Sequence, residues 1–100
     1  MWQVEIHRLV VDEDFARLDV AARQQIAKAI RAKLTTSPTT FGKPLAGPLK
    51  GYWRLRVGAY RVIYHIERDR LLVLVINAGM RRDEEVYIEA LARLRKLGFL

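Results

Sequence analysis

The chain has 100 residues, of which 51% are hydrophobic, and it contains no cysteine. This length predicts one domain, residues 1–100, with a single hydrophobic core, and the lack of cysteine excludes disulfides, thiol nucleophiles and thiolate metal sites. The net charge of +7 arises in residues 42–82, where nine lysines and arginines stand against two acidic residues. Such concentrated positive charge attracts a polyanion, most commonly the phosphate backbone of RNA or DNA.

The residue types that support other common chemistries are scarce. Ser37, the only serine, lies beside Pro38, and the two histidines have no carboxylate at metal-ligand spacing. The sequence shows no glycine-rich phosphate loop and no apolar N-terminal run typical of a secretory signal, and its longest apolar run, residues 71–76, is too short to cross a bilayer. We therefore expect a cytoplasmic protein without metal, cofactor or membrane segment. If it is an enzyme, it must work with arginine, tyrosine and lysine.

The N-terminal third predicts a strand followed by a helical hairpin. Hydrophobic and polar residues alternate over residues 2–7, which is typical of a strand with one buried face. Asp12 is placed to cap a short helix that runs to Leu18. Asp19 is placed to cap a longer helix that runs to about Leu34.

The central segment predicts a loop and then three strands. Residues 39–51 are rich in glycine and proline and are predicted to be mostly loop. Two strands follow, Tyr52–Val57 and Tyr60–Glu67, and Gly58-Ala59 suits a type II′ two-residue turn between them. A third strand, residues 71–78, is apolar on both faces and is therefore predicted to be central in the sheet.

The C-terminal part predicts one more helix. Residues 79–82 turn into it, Asp83 is placed to cap it, and it covers residues 84–97 with Gly98 after its end. The element order is then βααβββα. This order predicts an α+β fold in which a small, mostly antiparallel sheet packs against an N-terminal helical hairpin and a C-terminal helix.

Strand geometry groups three arginines. Alternation puts Arg54 and Arg56 on one face of their strand, and a two-residue turn places Arg56 opposite Arg61, so the three side chains share a face. Like charges placed together cost roughly a few tenths of a kcal/mol each unless an anion lies between them. The face is therefore predicted to bind nucleic-acid phosphate, with a merely solvated face or an acidic protein partner as the alternatives. Lys43 is expected to be an ordinary loop charge.

Other residues of this region have two interpretations each. Tyr52 lies on the arginine face and either stacks a nucleic-acid base or covers the sheet. His65 lies on the same face and is either a general base or a packing residue. Arg81 and Arg82 precede the last helix, in a position where loops often carry function, and Tyr87 in that helix either joins them or packs in the core.

Two stretches of the sequence are distinctive: LKGYWRLRVGAYRVIYHI over residues 49–66 and LLVLVINAGMRRDEEVY over residues 71–87. Together with the helical hairpin before them and the helix after them, they resemble the RelE/ParE superfamily of bacterial and archaeal toxins from toxin–antitoxin pairs. The YRVIY strand and the glycine–arginine loop are the most specific parts. The match is closest to the RelE branch, whose members cleave mRNA in the ribosomal A site.

The resemblance implies roles for particular residues. Four are implied to be catalytic or to contact the reacting RNA: Arg54, Arg61, Arg81 and Tyr87. Four more are implied to bind RNA around them: Lys50, Tyr52, Arg56 and Arg82. Some RelE toxins have a lysine at the position of Tyr52, so the general base stays open between Tyr52, Lys50 and neither.

The function that the resemblance implies is that of a ribosome-dependent endoribonuclease, the toxin of a type II toxin–antitoxin system. The RNA 2′-OH would attack the adjacent phosphate, leaving a 2′,3′-cyclic phosphate and a 5′-hydroxyl. The implied partners are a cognate antitoxin, the ribosome and mRNA, with no metal, cofactor or membrane. Two alternatives remain open: a ParE-like toxin that acts on DNA gyrase, and an inactive module that binds nucleic acid or a protein partner.

Overall fold

The structure, a computed structural model, describes residues 1–80 and 85–99. Its elements, in chain order, are β1 (Gln3–Ile6), α1 (residues 10–17), α2 (Val20–Ala29), α3 (Pro38–Phe41), β2 (Lys43–Pro44), β3 (Tyr52–Val57), β4 (Tyr60–Glu67), β5 (Leu72–Met80) and α4 (Glu85–Lys96). The first helical segment, α1, joins a wide π-type turn, Val10–Asp14, to a tight 3-10 turn, Phe15–Arg17, and α2 continues into a second wide turn, Ile30–Leu34. In these described residues, every helix is too short or too polar to span a bilayer.

The strands form one mixed sheet in the order β1-β5-β4-β3-β2. Strand β1 runs parallel to β5, and the other neighbouring strands are antiparallel. Strand β5 lies between β1 and β4, which explains why its sequence is apolar on both faces. The predicted α+β class, the mostly antiparallel sheet and the central position of the third long strand are confirmed.

Helices cover both faces of the sheet. On one face, the apolar stripe of α2 and its continuation packs in a cluster of buried residues that includes Ile26, Ile30, Leu34, Leu55 and Val62. On the other face, α4 packs in a second buried cluster that includes Val86, Ala90, Leu94, Ile63 and Ile76. The sheet is therefore the middle layer between the N-terminal helices and α4.

The β3–β4 hairpin has the predicted register. Arg56 lies directly opposite Arg61. Gly58 has a φ of +57°, whereas Ala59 is not among the residues with positive φ, and this is the pattern that a type II′ turn requires. A glycine at the first turn position is needed because side chains disfavour that conformation.

The ends of β5 and α4 differ slightly from the prediction. Strand β5 continues to Met80, two residues beyond the predicted end, because its last residues keep pairing with β4. Helix α4 is described from Glu85 to Lys96, and the predicted cap Asp83 lies outside the described residues, as does Glu84. Gly98 follows the helix with a φ of +80°, as expected of a left-handed C-terminal cap.

The two N-terminal caps predicted from aspartates have different outcomes. The Asp19 carboxylate accepts the backbone N–H three residues ahead at 2.8 Å, which confirms it as the cap of α2. The prediction for Asp12 is wrong, because the helical backbone starts earlier and Asp12 instead accepts a hydrogen bond from Arg8 Nε at 3.1 Å. The Nδ1 atom of His7 accepts the backbone N–H of Leu9 at 3.1 Å, so a histidine side chain takes this role at the first turn.

The glycine- and proline-rich segment 39–51 contains more structure than predicted. Pro38 begins α3, at the helix position that proline tolerates best. Strand β2 pairs with β3 at the edge of the sheet, where Pro44 does not interrupt a ladder. A 3-10 turn, Gly47–Leu49, then buries the Leu49 side chain beside α4. The prediction of a mostly irregular loop was therefore wrong for much of this segment.

Packing requires a glycine at position 42. A Cβ atom there would overlap the Tyr64 hydroxyl and lie 3.0 Å from the backbone oxygen of Arg54. Tyr64 is fully buried, donates a hydrogen bond to the Pro38 carbonyl at 2.6 Å, and has its pKa raised by burial. We expect Gly42→Ala to lower the free energy of unfolding by about 1–3 kcal/mol, the usual cost of overpacking. Urea denaturation followed by circular dichroism measures this loss.

A double variant isolates the cause of this effect. Tyr64→Phe removes the hydroxyl that an added methyl group at position 42 would overlap, so the loss for Gly42→Ala/Tyr64→Phe should be smaller than the sum of the two single losses. Strictly additive losses would show that the hydroxyl is not the group that excludes a side chain here.

Candidate nucleic-acid interface

The strand register places the predicted arginines on one face of the sheet. Arg56 pairs with Arg61, and Arg54 pairs with Ile63 two residues further along. Directly paired residues point to the same face, so the three arginines lie on the face where Ile63 packs against α4. This confirms the grouping that alternation predicted. Across β5, Gly79 is the partner of Arg61 and adds no side chain to cover it.

The register also adds a basic residue that the sequence pattern assigned to an ordinary loop. Lys43 pairs with Arg54 across β2 and β3, so it shares the arginine face, and it is exposed. The prediction for Lys43 was wrong because a two-residue strand in a glycine- and proline-rich segment shows no alternation to detect. We call Lys43, Arg54, Arg56 and Arg61 the basic face.

Tyr87 of α4 contacts Arg61 of β4. Arg61 Nη1 donates a hydrogen bond to the Tyr87 hydroxyl, and the guanidinium carbon lies 5.5 Å from the centroid of the tyrosine ring, within cation–π range. The same ring packs against the apolar cluster under α4, so both interpretations of Tyr87 apply. Arg61 Nε is buried and has no hydrogen-bond partner among the described residues. A buried donor left unpaired costs about 1–3 kcal/mol, which a ligand oxygen at Nε would relieve.

Two arginines of the basic face lack acidic partners. Within residues 1–80 and 85–99, neither Arg54 nor Arg61 forms an ion pair, whereas arginines away from this face do: Arg8 with Asp12, Arg17 with Glu89, Arg70 with Glu67, and Arg93 with Asp14. The carboxylates of the protein are thus distributed so that positive charge on this face is left uncompensated. That distribution favours a phosphate-containing ligand.

Tyr52 and His65 form the next pair along the same face. They lie opposite each other on β3 and β4, with ring centroids 5.4 Å apart and ring planes inclined by 48°. Burial raises the pKa of the Tyr52 phenol, so it stays protonated at neutral pH and is a poor general base. What Tyr52 offers a ligand is its aromatic surface.

The remaining predicted residues are less fully placed. Lys50 is exposed in the turn two residues before β3. Arg81 and Arg82 lie outside the described residues. Strand β5 ends at Met80, opposite Tyr60 and one residue from the pair formed by Arg61. In the described ranges, no three histidine, aspartate or glutamate side chains are grouped closely enough to hold a metal ion.

A buried ion pair that the sequence analysis missed joins α1 to α4. Arg93 donates from Nη1 and Nη2 to the two carboxylate oxygens of Asp14, at 2.7 and 2.8 Å. Asp14 also accepts the backbone N–H of Ala78 at 2.9 Å, and Arg93 donates to the carbonyl of Ile76 at 3.0 Å. These β5 groups lie beyond the last residue that β1 pairs with, Val75, so the ion pair replaces a missing strand neighbour.

The ion pair also determines where α4 lies. Burial by itself lowers the pKa of Arg93, but the hydrogen bonds and negative charge of Asp14 outweigh it and raise the pKa above its ordinary value. Arg93 is therefore charged at every physiological pH and holds α4 against β5. The same helix carries Tyr87, so the contact between Tyr87 and Arg61 depends on this attachment.

Comparison with known proteins gives a consistent family of relatives. A family model described as the ParE toxin of the type II toxin–antitoxin system parDE matches residues 5–84. The mRNA interferase toxin RelE of Escherichia coli strain K12 is 30% identical over 83 residues, which is 82% of this chain and 86% of that protein.

Solved structures agree on the fold. The toxin–antitoxin complex RelBE2 of Mycobacterium tuberculosis contains a chain that superimposes with a TM-score of 0.75 at 24% identity, covering 80% of this chain and 98% of that one. The isolated RelE toxin of E. coli superimposes with a TM-score of 0.66 at 21% identity, covering 94% of this chain and 99% of that one. At these identities the likeness establishes a shared architecture.

Proposed function

Because the chain belongs to the RelE/ParE superfamily of type II toxins, in its RelE-like branch, and is an endoribonuclease, we propose that it cleaves mRNA in the ribosomal A site and so inhibits translation. The observation that carries this proposal is the state of Arg61. Its guanidinium is held by the Tyr87 hydroxyl, its Nε has no partner among the described residues, and it lies on a face with other basic side chains. Such a group is suited to bind a phosphate oxygen.

The proposed chemistry uses the nucleophile that RNA itself supplies. The 2′-oxygen attacks the adjacent phosphorus, the bond from phosphorus to the 5′-oxygen breaks, and the 2′-OH proton is removed as another is given to the leaving oxygen. Arginine suits charge stabilisation in this reaction because its planar donors match phosphate oxygens, but with a pKa above about 12 it is a poor base. We assign charge stabilisation to Arg61, and charge stabilisation or protonation of the leaving oxygen to Arg81.

The other residues bind and orient the RNA in this proposal. Arg54 contacts the reacting RNA beside Arg61, since it follows on the same face. Tyr87 orients both Arg61 and the substrate. The remaining contacts to the RNA chain come from Lys50, Tyr52, Arg56 and Arg82. Tyr52 contributes stacking rather than base catalysis, because its raised pKa keeps the phenol protonated.

Mapping of 3′ ends on a ribosome-bound mRNA tests the proposal. We expect cuts within the A-site codon, a 2′,3′-cyclic phosphate on the upstream fragment and a 5′-hydroxyl on the downstream fragment. The same mRNA without ribosomes is the control and should be cut far more slowly. A 5′-phosphate on the downstream fragment would contradict attack by the 2′-OH, and an uncut message would contradict the nuclease.

A second candidate function has one observation in its favour. The family model that matches residues 5–84 carries the ParE description, and our sequence analysis considers ParE-like toxins as acting on DNA gyrase. A supercoiling assay distinguishes the two candidates. Inhibition of gyrase together with an intact ribosome-bound message would replace the nuclease by this alternative.

We also propose a cognate antitoxin as a partner and the cytoplasm as the location. The relatives with solved structures include toxin–antitoxin complexes from M. tuberculosis and E. coli. An acidic segment would complement the basic face, where Arg54 and Arg61 lack ion-pair partners among the described residues. Ribosomes work in the cytoplasm, so a protein that cuts mRNA on them must be present there.

Tyr87→Phe tests the role of the hydroxyl group. The variant keeps the ring near the guanidinium but removes the hydrogen bond that Arg61 donates, so the guanidinium loses its orientation. A hydrogen bond to a charged group contributes about 1.5–3 kcal/mol, so we expect cleavage to be roughly 10- to 150-fold slower. Single-turnover cleavage measures this effect. A rate equal to wild type would show that the ring alone is sufficient.

A further inference from the structure

The far end of the basic face contains a small cavity with aromatic walls. It has a volume of 210 Å³ and is lined by Tyr52, His65, Glu67, Leu74, Ile76 and Phe99. Pockets for drug-sized ligands measure about 300–1,000 Å³, so this one has room for a single planar ring system rather than a complete nucleotide.

The walls of the cavity come from two parts of the fold. Tyr52 and His65 project from paired positions of β3 and β4 with their rings 5.4 Å apart. Phe99 comes from the residue after Gly98, where the chain turns back at the end of α4 with the Phe99 N–H bonded to the Leu94 carbonyl at 2.9 Å. A flat ring in the cavity would therefore meet aromatic side chains from the sheet and from the C-terminal turn.

The cavity also has polar groups without partners. His65 Nδ1 is buried and makes no hydrogen bond to any described residue. Glu67 bonds Arg70 through Oε2 at 3.0 Å, which leaves Oε1 without a partner in the described part of the chain. A carboxylate oxygen accepts hydrogen bonds, so it selects ligands that present N–H groups.

The position of the cavity relates it to the basic face. Tyr52 lies on the same face as Arg54 and two residues before it, a separation of about 7 Å along the strand. We propose that the cavity binds a nucleobase of the RNA, that it stacks this base on Tyr52, His65 and Phe99, and that it favours bases with an amino group over uracil. This inference rests on the proposed function, because it takes RNA as the substrate.

A nucleobase fits these observations better than an apolar side chain of a protein partner. Unpaired groups on His65 and Glu67 would remain unpaired beside a leucine or valine, whereas a base edge supplies hydrogen-bonding groups. Stacking of one base on aromatic side chains accounts for roughly 5- to 150-fold in affinity. The cavity would thus contribute to the choice of cleavage site.

The test is a titration that does not depend on cleavage. Wild-type protein is titrated with AMP, GMP, CMP, UMP and, as a base-free control, ribose 5-phosphate, while NMR follows the ring signals of His65 and Phe99. We expect at least one amino-bearing nucleotide to shift both signals and UMP to bind at least fivefold more weakly. Absence of shifts with every nucleotide, equal binding of UMP, or equal shifts with ribose 5-phosphate would each overturn the proposal.

A matched pair of variants locates the binding. Phe41 and Phe99 are equally exposed, at 48%, but Phe41 does not line the cavity. Phe99→Ala should weaken nucleotide binding by at least fivefold, and Phe41→Ala should leave it unchanged. If both variants bind as tightly as wild type, the nucleotides bind elsewhere and the proposal fails.

The same variants separate this inference from the nuclease proposal. In the mapping of 3′ ends, Phe99→Ala should flatten the base preference next to the cut, and Phe41→Ala should keep it. A cleaving protein whose preference is the same in both variants overturns the base subsite alone. An uncut message overturns the nuclease, while the titration still decides whether the cavity binds a base.

Discussion

Replacing Arg61 by alanine is expected to slow RNA cleavage by about 100- to 1,000-fold, the usual effect of removing one donor that stabilises developing charge. The expectation follows from the position of Arg61, which lies opposite Arg56, is held by Tyr87, and has no acidic partner among the described residues. Single-turnover cleavage of a ribosome-bound mRNA measures the rate. Because the lost interaction belongs to the transition state, the rate should fall more than the affinity for RNA.

Two further variants show whether this loss is specific. Arg8→Ala removes an arginine of α1 that is paired with Asp12 and highly exposed, and it should leave cleavage unchanged. Arg61→Lys keeps the charge but not the planar set of donors, so it should recover only part of the activity. Full activity in Arg61→Ala, or full rescue by lysine, would contradict charge stabilisation by a guanidinium at this position.

Removing one member of the Asp14–Arg93 pair is expected to lower the free energy of unfolding by about 3–5 kcal/mol, because the other charge then stays buried without a partner. Asp14→Ala also leaves the backbone N–H of Ala78 without its acceptor, and Arg93→Met leaves the carbonyl of Ile76 without its donor. Urea denaturation of both variants measures the loss.

An exposed ion pair between the same two helical segments is the matched control. Arg17 contacts Glu89 at 3.4 Å, with side-chain exposures of 63% and 44%, so Arg17→Ala should cost less than about 1 kcal/mol. Replacing both buried charges, as in Asp14→Leu/Arg93→Met, should cost less than either single change, since neither charge is left unpaired. A loss below 1 kcal/mol for Asp14→Ala would show that the buried pair contributes little.

The arginine grouping could be predicted because it depends on local rules. A two-residue turn with glycine first sets the register of the β3–β4 hairpin, and strand alternation then brings Arg54, Arg56 and Arg61 to one face. The central position of β5 was likewise predictable from its apolar sequence on both faces. These features involve neighbours in sequence or a period of two residues.

The features that sequence reasoning missed depend on distant contacts. Asp14 and Arg93 are separated by 79 positions, and an aspartate in a helix beginning with acidic residues is ordinarily read as a dipole partner. Lys43 gains its place beside Arg54 through a strand too short to show a pattern. Phe99 reaches the cavity only because Gly98 turns the chain back, and a turn residue does not indicate what its neighbour will contact.

The parallel pairing of β1 with β5 determines when the fold can form during synthesis. Gln3 lies opposite Leu72, and Asp14 binds Arg93 across 79 positions, so the first strand and first helical segment are made long before their partners. Domains dominated by such distant contacts fold slowly. The β3–β4 hairpin carries Arg61 but cannot position it until α4 has delivered Tyr87. A growing chain therefore lacks the complete site through most of its own translation, and the site is assembled only after α4 has been made.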